Sequence, residues 1–444
     1  MHRHGFILVG AVALFQVVTA LGRLGEFWDI KYNPLVKFFS LGSAPDNLTL
    51  IALLSIGIVI FVSLLVARAV LGNETLKFNF MNLALLACLG MNAVVMAHDF
   101  FSIYVFIEIA ALSSFILIAM TKDPLAIEGA FKYIILSAVA TVLMLCSIGL
   151  LLLFAGGTAF TDIALALKNS GNEFLFKAAV GLFLCGLFIK SGIVPFHGWL
   201  PDAYSASSAP VSVLLAGIIT KVSGVYVLLR LVVSVFGGLA IIQKPLMAIG
   251  ALSIVVGALL SLTQNNFKRL LSYSSISQVG YIILAAGCAT PLAIFGAVFH
   301  FFNHAVFKSL LFVNAAAVEK QTGTVDMENL GGLAARMPVT ATTSVIAFLS
   351  CAGIPPLAGF WSKLIIVIAL WKASHFAYAG IAALASVITL GYFLHLQRQV
   401  FFGKLKAGLE KIEEADFSLA LPQIILAIII VAAGLIFPWI LKWR

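Results

Sequence analysis

The 444-residue chain is 62% hydrophobic and 10% charged, with a mean hydropathy of +1.11. Soluble domains carry about 25% charged residues, so the composition excludes a water-soluble enzyme and a disordered chain, and without a Gly-X-Y period it is not collagen-like. The net charge of +9 is the modest Lys/Arg excess of a membrane protein's cytoplasmic loops, and no basic patch interleaved with stacking residues points to nucleic acid.

At about 20 residues per spanning helix, apolar runs at about 5–22, 48–71, 80–98, 100–120, 127–155, 174–200, 209–235, 239–263, 269–288, 291–317, 338–371, 376–400 and 418–441 predict roughly thirteen spans. The first run imitates a secretory signal. No small-residue cleavage site precedes Gly22-Arg23, however, so a retained first helix is expected. Residues 23–47 mix Trp28, Tyr32, Phe38 and Phe39 with charges, as a segment lying in the interface would. The charged stretch 401–417 reads as a solvated loop or short surface helix. Lys and Arg are slightly in excess on its side. That predicts a cytoplasmic loop and N-terminus, with the C-terminus opposite.

The five cysteines stand singly in apolar stretches, which disfavours an iron–sulfur cluster or structural zinc. No G-x-x-x-x-G-K-[ST] loop is present. Any work is therefore expected to come from an ion gradient or a partner.

Ionisable groups at membrane depth cost about 2.5–3.5 kcal/mol each and mark functional sites by default. Glu108 lies in FFSIYVFIEIAALSSFILIAM. Lys190 ends the run from Phe174, and Lys221 lies inside PVSVLLAGIITKVSGVYVLL. His300, His304 and Lys308 recur every four residues, on one helix face. Lys363 follows GIPPLAGFWS. With no carboxylate or cysteine nearby, zinc at the two histidines is disfavoured. Lys132, Arg230, Lys268 and Arg269 fall near helix ends, where long side chains snorkel to the interface.

Residues 190–197 (KSGIVPFH) and 353–360 (GIPPLAGF) interrupt two helices. Broken helices in corresponding positions suggest inverted repeats with an ion site at the breaks. The chain then divides into N-terminal helices and interfacial segment (1–79), a first half-channel (80–238), a second (239–400), and a loop with a C-terminal helix (401–444). The expected fold is an all-α membrane bundle of about 13–14 spans.

The stretch KSGIVPFHGWLPDAYSASSAPVSVLLAGIITKVSGVYVLLR (190–230) resembles the antiporter-like membrane subunits of respiratory complex I, Mrp cation/proton antiporters (D type) and membrane-bound hydrogenases. NNFKRLLSYSSISQVGYIILAAG (265–287), HFFNHAVFKSLLF (300–312) and residues 327–364 extend the likeness, which runs from about Asp99 to Arg398. The resemblance implies a Glu108–Lys190 pair, Lys221 as connecting lysine, His300, His304 and Lys308 as central relay, and Lys363 as the lysine of the second broken helix. Against the family's usual fourteen spans, one N-terminal span fewer and no long lateral helix are expected. That points to a subunit of the N, M or Mrp D kind.

The implied function is proton translocation within a redox-driven complex, an NADH–quinone oxidoreductase or membrane-bound hydrogenase. The alternative is a subunit of an Mrp-type sodium/proton antiporter. Other antiporter-like subunits and a peripheral iron–sulfur arm would be the partners, protons alone or protons with sodium the cargo, and the chain itself would hold no cofactor and no redox centre. Its place would be the prokaryotic plasma (inner) membrane. Burial disfavours a charged lysine and a nearby carboxylate favours it, so separating Glu108 from Lys190 would release a proton toward the relay.

Overall fold

The computed structural model describes residues 2–24, 46–169, 174–237 and 239–442. Most of the expected interfacial segment (23–47) lies outside them. In chain order the helices are α1 (His2–Leu24), α2 (Asn47–Val70), α3 (Glu74–Met96), α4 (Phe100–Ala119), α5 (Pro124–Ala155), α6 (Phe160–Asn169), α7 (Phe174–Ser191) and α8 (Trp199–Ala206). There follow α9 (Ala209–Phe236), α10 (Ala240–Leu262), α11 (Phe267–Cys288), α12 (Pro291–Thr322), α13 (Pro338–Ala352), α14 (Ala358–Lys372), α15 (Phe376–Phe402) and α16 (Phe417–Lys442).

The short polar joints between apolar runs act as caps. Asp46, Asn73, Asp99, Asp123, Asn266 and Thr290 each accept from a backbone N–H of the helix they precede. Pro124 and Pro291 stand in the first turn, where a missing N–H costs nothing. Among the described residues twelve helices are long and apolar enough to cross a membrane, and α13 and α14, of 15 residues each, share a thirteenth traverse. The chain is a multi-pass membrane protein, an all-helical bundle.

Gly5 of α1 packs on Met81, near the start of α3. With alternating traverses, the start of α1 lies on the same side as residues 403–416, and the end of α16 lies opposite. The 403–416 stretch is not free: Gly332 packs on the Leu405 backbone, Lys406 donates to Glu328 O, and Lys320 Nζ meets Asp416 Oδ2 at 2.7 Å.

The core is laid around α9, which is buried from Ala209 to Val232. Its turns widen to the π form at Leu215–Ile219, Lys221–Tyr226 and Val232–Phe236, a geometry frequent at functional sites. Both breaks use one device. Gly192 (φ 63°) closes α7 and Gly353 (φ 87°) closes α13, each followed by Ile and a cis X-Pro bond. Only glycine enters this left-handed conformation without strain.

Candidate functional site

The first break sets Lys190 at the inner end of α7. Its side chain is wholly buried, and Nζ donates to Glu108 Oε1 of α4 at 2.7 Å and to Ser137 Oγ of α5 at 2.6 Å. Glu108, 26% exposed, also accepts from Thr141 Oγ1 at 2.7 Å. The carboxylate thus keeps an exposed edge while its lysine has none. Backbone groups freed by the break find partners: Trp199 Nε1 donates to Ile189 O at 3.1 Å, and Val194 N donates to Ser253 Oγ of α10 at 3.2 Å.

Lys221 sits in the middle of α9 between Gly217 and Gly224. A Cβ at Gly224 would fall 2.1 Å from Ser191 Oγ and 2.8 Å from its backbone, and one at Gly217 would fall 2.4 Å from Ser309 Oγ. The two glycines therefore press α9 against the residue after Lys190 on one side and the residue after Lys308 on the other. Lys221 Nζ donates to Ala216 O in the widened turn.

On α12, Lys308 Nζ donates to Ser274 Oγ (2.7 Å) and Leu271 O (3.1 Å), and Ser274 Oγ pairs with Tyr392 OH at 2.8 Å. The rings of His300 and His304 lie 6.4 Å apart. His300 Nδ1 pairs with Ser362 Oγ at 2.9 Å, one residue before Lys363. Lys363 Nζ lies 4.5 Å from the Tyr281 ring centroid, and its stem packs on Gly353, just over a helical turn from the start of α14. His304 Nδ1 and Nε2, His300 Nε2 and Lys363 Nζ are enclosed without a hydrogen-bond partner in the protein. Buried polar groups of this kind are normally satisfied by water.

Six of the seven residues expected from the sequence, on α7, α9, α12 and α14, are therefore buried, and the seventh, Glu108 of α4, is partly exposed and pairs with Lys190. All four others meet carboxylates: Arg230 and Lys268 are buried rather than snorkelling as expected, whereas Lys132 and Arg269 stay 41% and 39% exposed, as snorkelling side chains do. Arg230, 4% exposed, forks onto Asp46 at 2.6 and 2.7 Å and donates to Thr49 Oγ1 at 2.6 Å. Burial alone would raise the Asp46 carboxyl, but hydrogen bonds from Arg230 and Thr49 bring it down to about 2. Lys268 meets Glu319 at 2.5 Å. Asp202 of α8 takes both Lys132 and Arg269 at 2.6 Å, joining α5 to α11.

Residues 97–389 match the family described as NADH:quinone oxidoreductase/Mrp antiporter, TM. The chain belongs to this family. It is 31% identical to NADH-quinone oxidoreductase subunit N of Desulforudis audaxviator over 389 residues, covering 82% of this chain and 77% of that protein. It is 28% identical to the D-type subunit of a Na(+)/H(+) antiporter from Alkalihalophilus pseudofirmus over 439 residues, covering 97% and 87%. Among solved structures, a chain of the membrane-bound sulfane sulfur reductase, an archaeal respiratory membrane complex, superposes with a TM-score of 0.83 at 29% identity, over 97% of this chain and 74% of that one.

The hydroxyls of Ser137, Thr141, Ser274, Ser362 and Tyr392 escaped the sequence. Serine and threonine are unremarkable in apolar helices, where they bond their own backbone. A signal did exist for some of them: Ser362 adjoins Lys363, and Thr141 follows Ser137 by one turn.

Proposed function

We propose that this family member carries protons across the membrane by a relay of Glu108, Lys190, Lys221, His304, Lys308, His300 and Lys363, as an antiporter-like subunit of a larger membrane complex. One observation carries the reading. Lys190, Lys221, Lys308 and Lys363 are buried inside spans, and of these four only Lys190 has a carboxylate within ion-pair distance among the described residues. Lysines without a counter-charge in an apolar interior hold a proton only conditionally, as carriers must.

In this reading the halves 80–238 and 239–400 are repeats, each centred on its break. The chain lies in a prokaryotic plasma membrane and holds no cofactor. The driving event arrives from partners: further antiporter-like subunits and a peripheral iron–sulfur arm. A second reading, a subunit of a sodium/proton antiporter, is favoured by the D-type relative's match to nearly the whole chain. The subunits co-purifying with the chain separate the two.

The test is Lys363 in the intact complex, in sealed vesicles. Lys363→Met should stop translocation. Lys363→Arg should stop it too, because arginine does not release its proton in proteins. Wild-type proton movement in the arginine variant would reduce Lys363 to a fixed charge and end the relay.

A further inference from the structure

The 403–416 segment places Glu414, part-buried, at the first turn of α13. Its Oε2 accepts from the backbone N–H of Val339 (2.6 Å) and Thr340 (3.3 Å), and its Oε1 accepts from Thr340 Oγ1 (2.7 Å). Met337, at the cap position, offers no side-chain acceptor. Capping explains those contacts. It does not explain what lies behind them.

Thr340 also meets the Gln423 amide of α16, whose Nε2 lies 3.2 Å from Thr340 Oγ1. One turn deeper, Thr343 Oγ1 donates to Asn314 Oδ1 of α12 at 3.1 Å, and Gln397 Nε2 of α15 donates to Ser344 Oγ at 2.6 Å. Thr340, Thr343 and Ser344 stand at i, i+3 and i+4, so α13 turns one hydroxyl-bearing face to three other helices. All are buried, Thr343 the least so at 5%. The far end of α13 reaches the second break, where Ser350 Oγ accepts from Gly359 N at 3.1 Å and Gly353 packs on Lys363.

Two atoms on this face are left over. Asn314 Nδ2 and Gln397 Oε1 are enclosed and make no hydrogen bond within the protein. Each would cost about 1–3 kcal/mol if left so, and both lie in polar surroundings where water can serve them. Asn314 stands six residues beyond Lys308 on α12, a rise of about 9 Å, and Gln397 stands five beyond Tyr392 on α15, about 7.5 Å. Lys308, Ser274 and Tyr392 are already one hydrogen-bonded group.

We infer that the hydroxyl face of α13 is a hydrated proton-access route. It opens at Glu414 on the side of the bundle that carries residues 403–416 and leads to Lys308 and Lys363. The inference rests on the relay reading above for its purpose, but the water in it is measurable without transport.

The test places a single cysteine at Asn314, and separately at Gln397, in the intact complex lacking the five native cysteines. Sealed vesicles of each orientation then meet a membrane-impermeant methanethiosulfonate. Labelling from the 403–416 side alone is expected at both positions, slowed at least tenfold by Thr340→Leu. Labelling from the opposite side, or none at either position in an assembled complex, overturns the route. Glu414→Gln keeps an acceptor for the α13 cap but cannot exchange a proton. It should lower the translocation rate about tenfold and alter its pH profile, and an unchanged rate and profile would leave Glu414 a cap and remove it as the entrance. If Lys363→Arg pumps normally while the cysteines label as expected, the relay fails and the hydrated route stands.

Discussion

Replacing Glu108 by glutamine removes one unit of charge and little else. The amide keeps an oxygen for Thr141 and Lys190, whose Nζ lies 2.7 Å from the carboxylate, and Ser137 Oγ at 2.6 Å remains. At that separation, and at the effective dielectric of about 20 that suits protein sites, the lost attraction is about 6 kcal/mol. Removing one partner of a buried pair costs about 3–5 kcal/mol. The lower end applies here because Glu108 is 26% exposed rather than fully buried. About 3 kcal/mol is roughly a hundredfold in a rate or equilibrium, so the initial rate of proton translocation should fall by one to two orders of magnitude. The assay is vesicle acidification by the assembled complex, for Glu108→Gln, Lys190→Ala and the pair. Because each side chain acts through the other, the double variant should resemble the worse single one, a coupling of about 2–3 kcal/mol. Rates that multiply, with no coupling, would refute the pairing argument even if both single variants are slow.

Gly224→Ala should impair translocation without touching an ionisable group, because its Cβ would meet the Ser191 backbone at 2.8 Å and push α9 from α7. The expected destabilisation is about 1–3 kcal/mol, read as a lower unfolding temperature together with a slower rate, and wild-type behaviour in both would contradict the close approach. The Asp46–Arg230 fork should confer acid sensitivity. A carboxylate lowered from 3.8 to about 2 stabilises the fold above its unfolded value and loses that contribution as pH falls from about 4 to 2. With Asp46 half exposed, the amount is discounted to about 1 kcal/mol. Asp46→Asn should remove this step from the stability–pH curve, and an unchanged curve would count against the fork.

The spans were legible because burying a helix in lipid demands an uninterrupted apolar run, and the ionisable residues within them because a charge inside such a run stands out. Gly192 and Gly353 announced the breaks through the prolines that follow them. Apart from Glu108–Lys190, which the family resemblance implied, pairing across the bundle was not legible. Arg230 finds Asp46, 184 residues earlier in the chain, and Asp202 draws Lys132 and Arg269 from opposite directions along it. A one-dimensional reading sees three basic residues near helix ends and sends them to the interface. The hydroxyls that carry Lys190 and Lys308 were hidden for a different reason. Their energetic role depends on which neighbour faces them, and spacing along one helix does not specify that.

The two glycines that hold α9 between its neighbours also make its length less forgiving than its composition. Each residue turns a helix by about 100° and advances it by about 1.5 Å. Losing a single residue between Gly217 and Gly224 would leave only one glycine facing its contact and swing Lys221 toward a different helix. A methyl group at Gly217 or Gly224 is a local obstruction that neighbours can partly absorb. A deletion is a phase error along a 28-residue helix that is buried from Ala209 to Val232. In a mutational scan this segment should accept many apolar exchanges, yet reject every one-residue insertion or deletion.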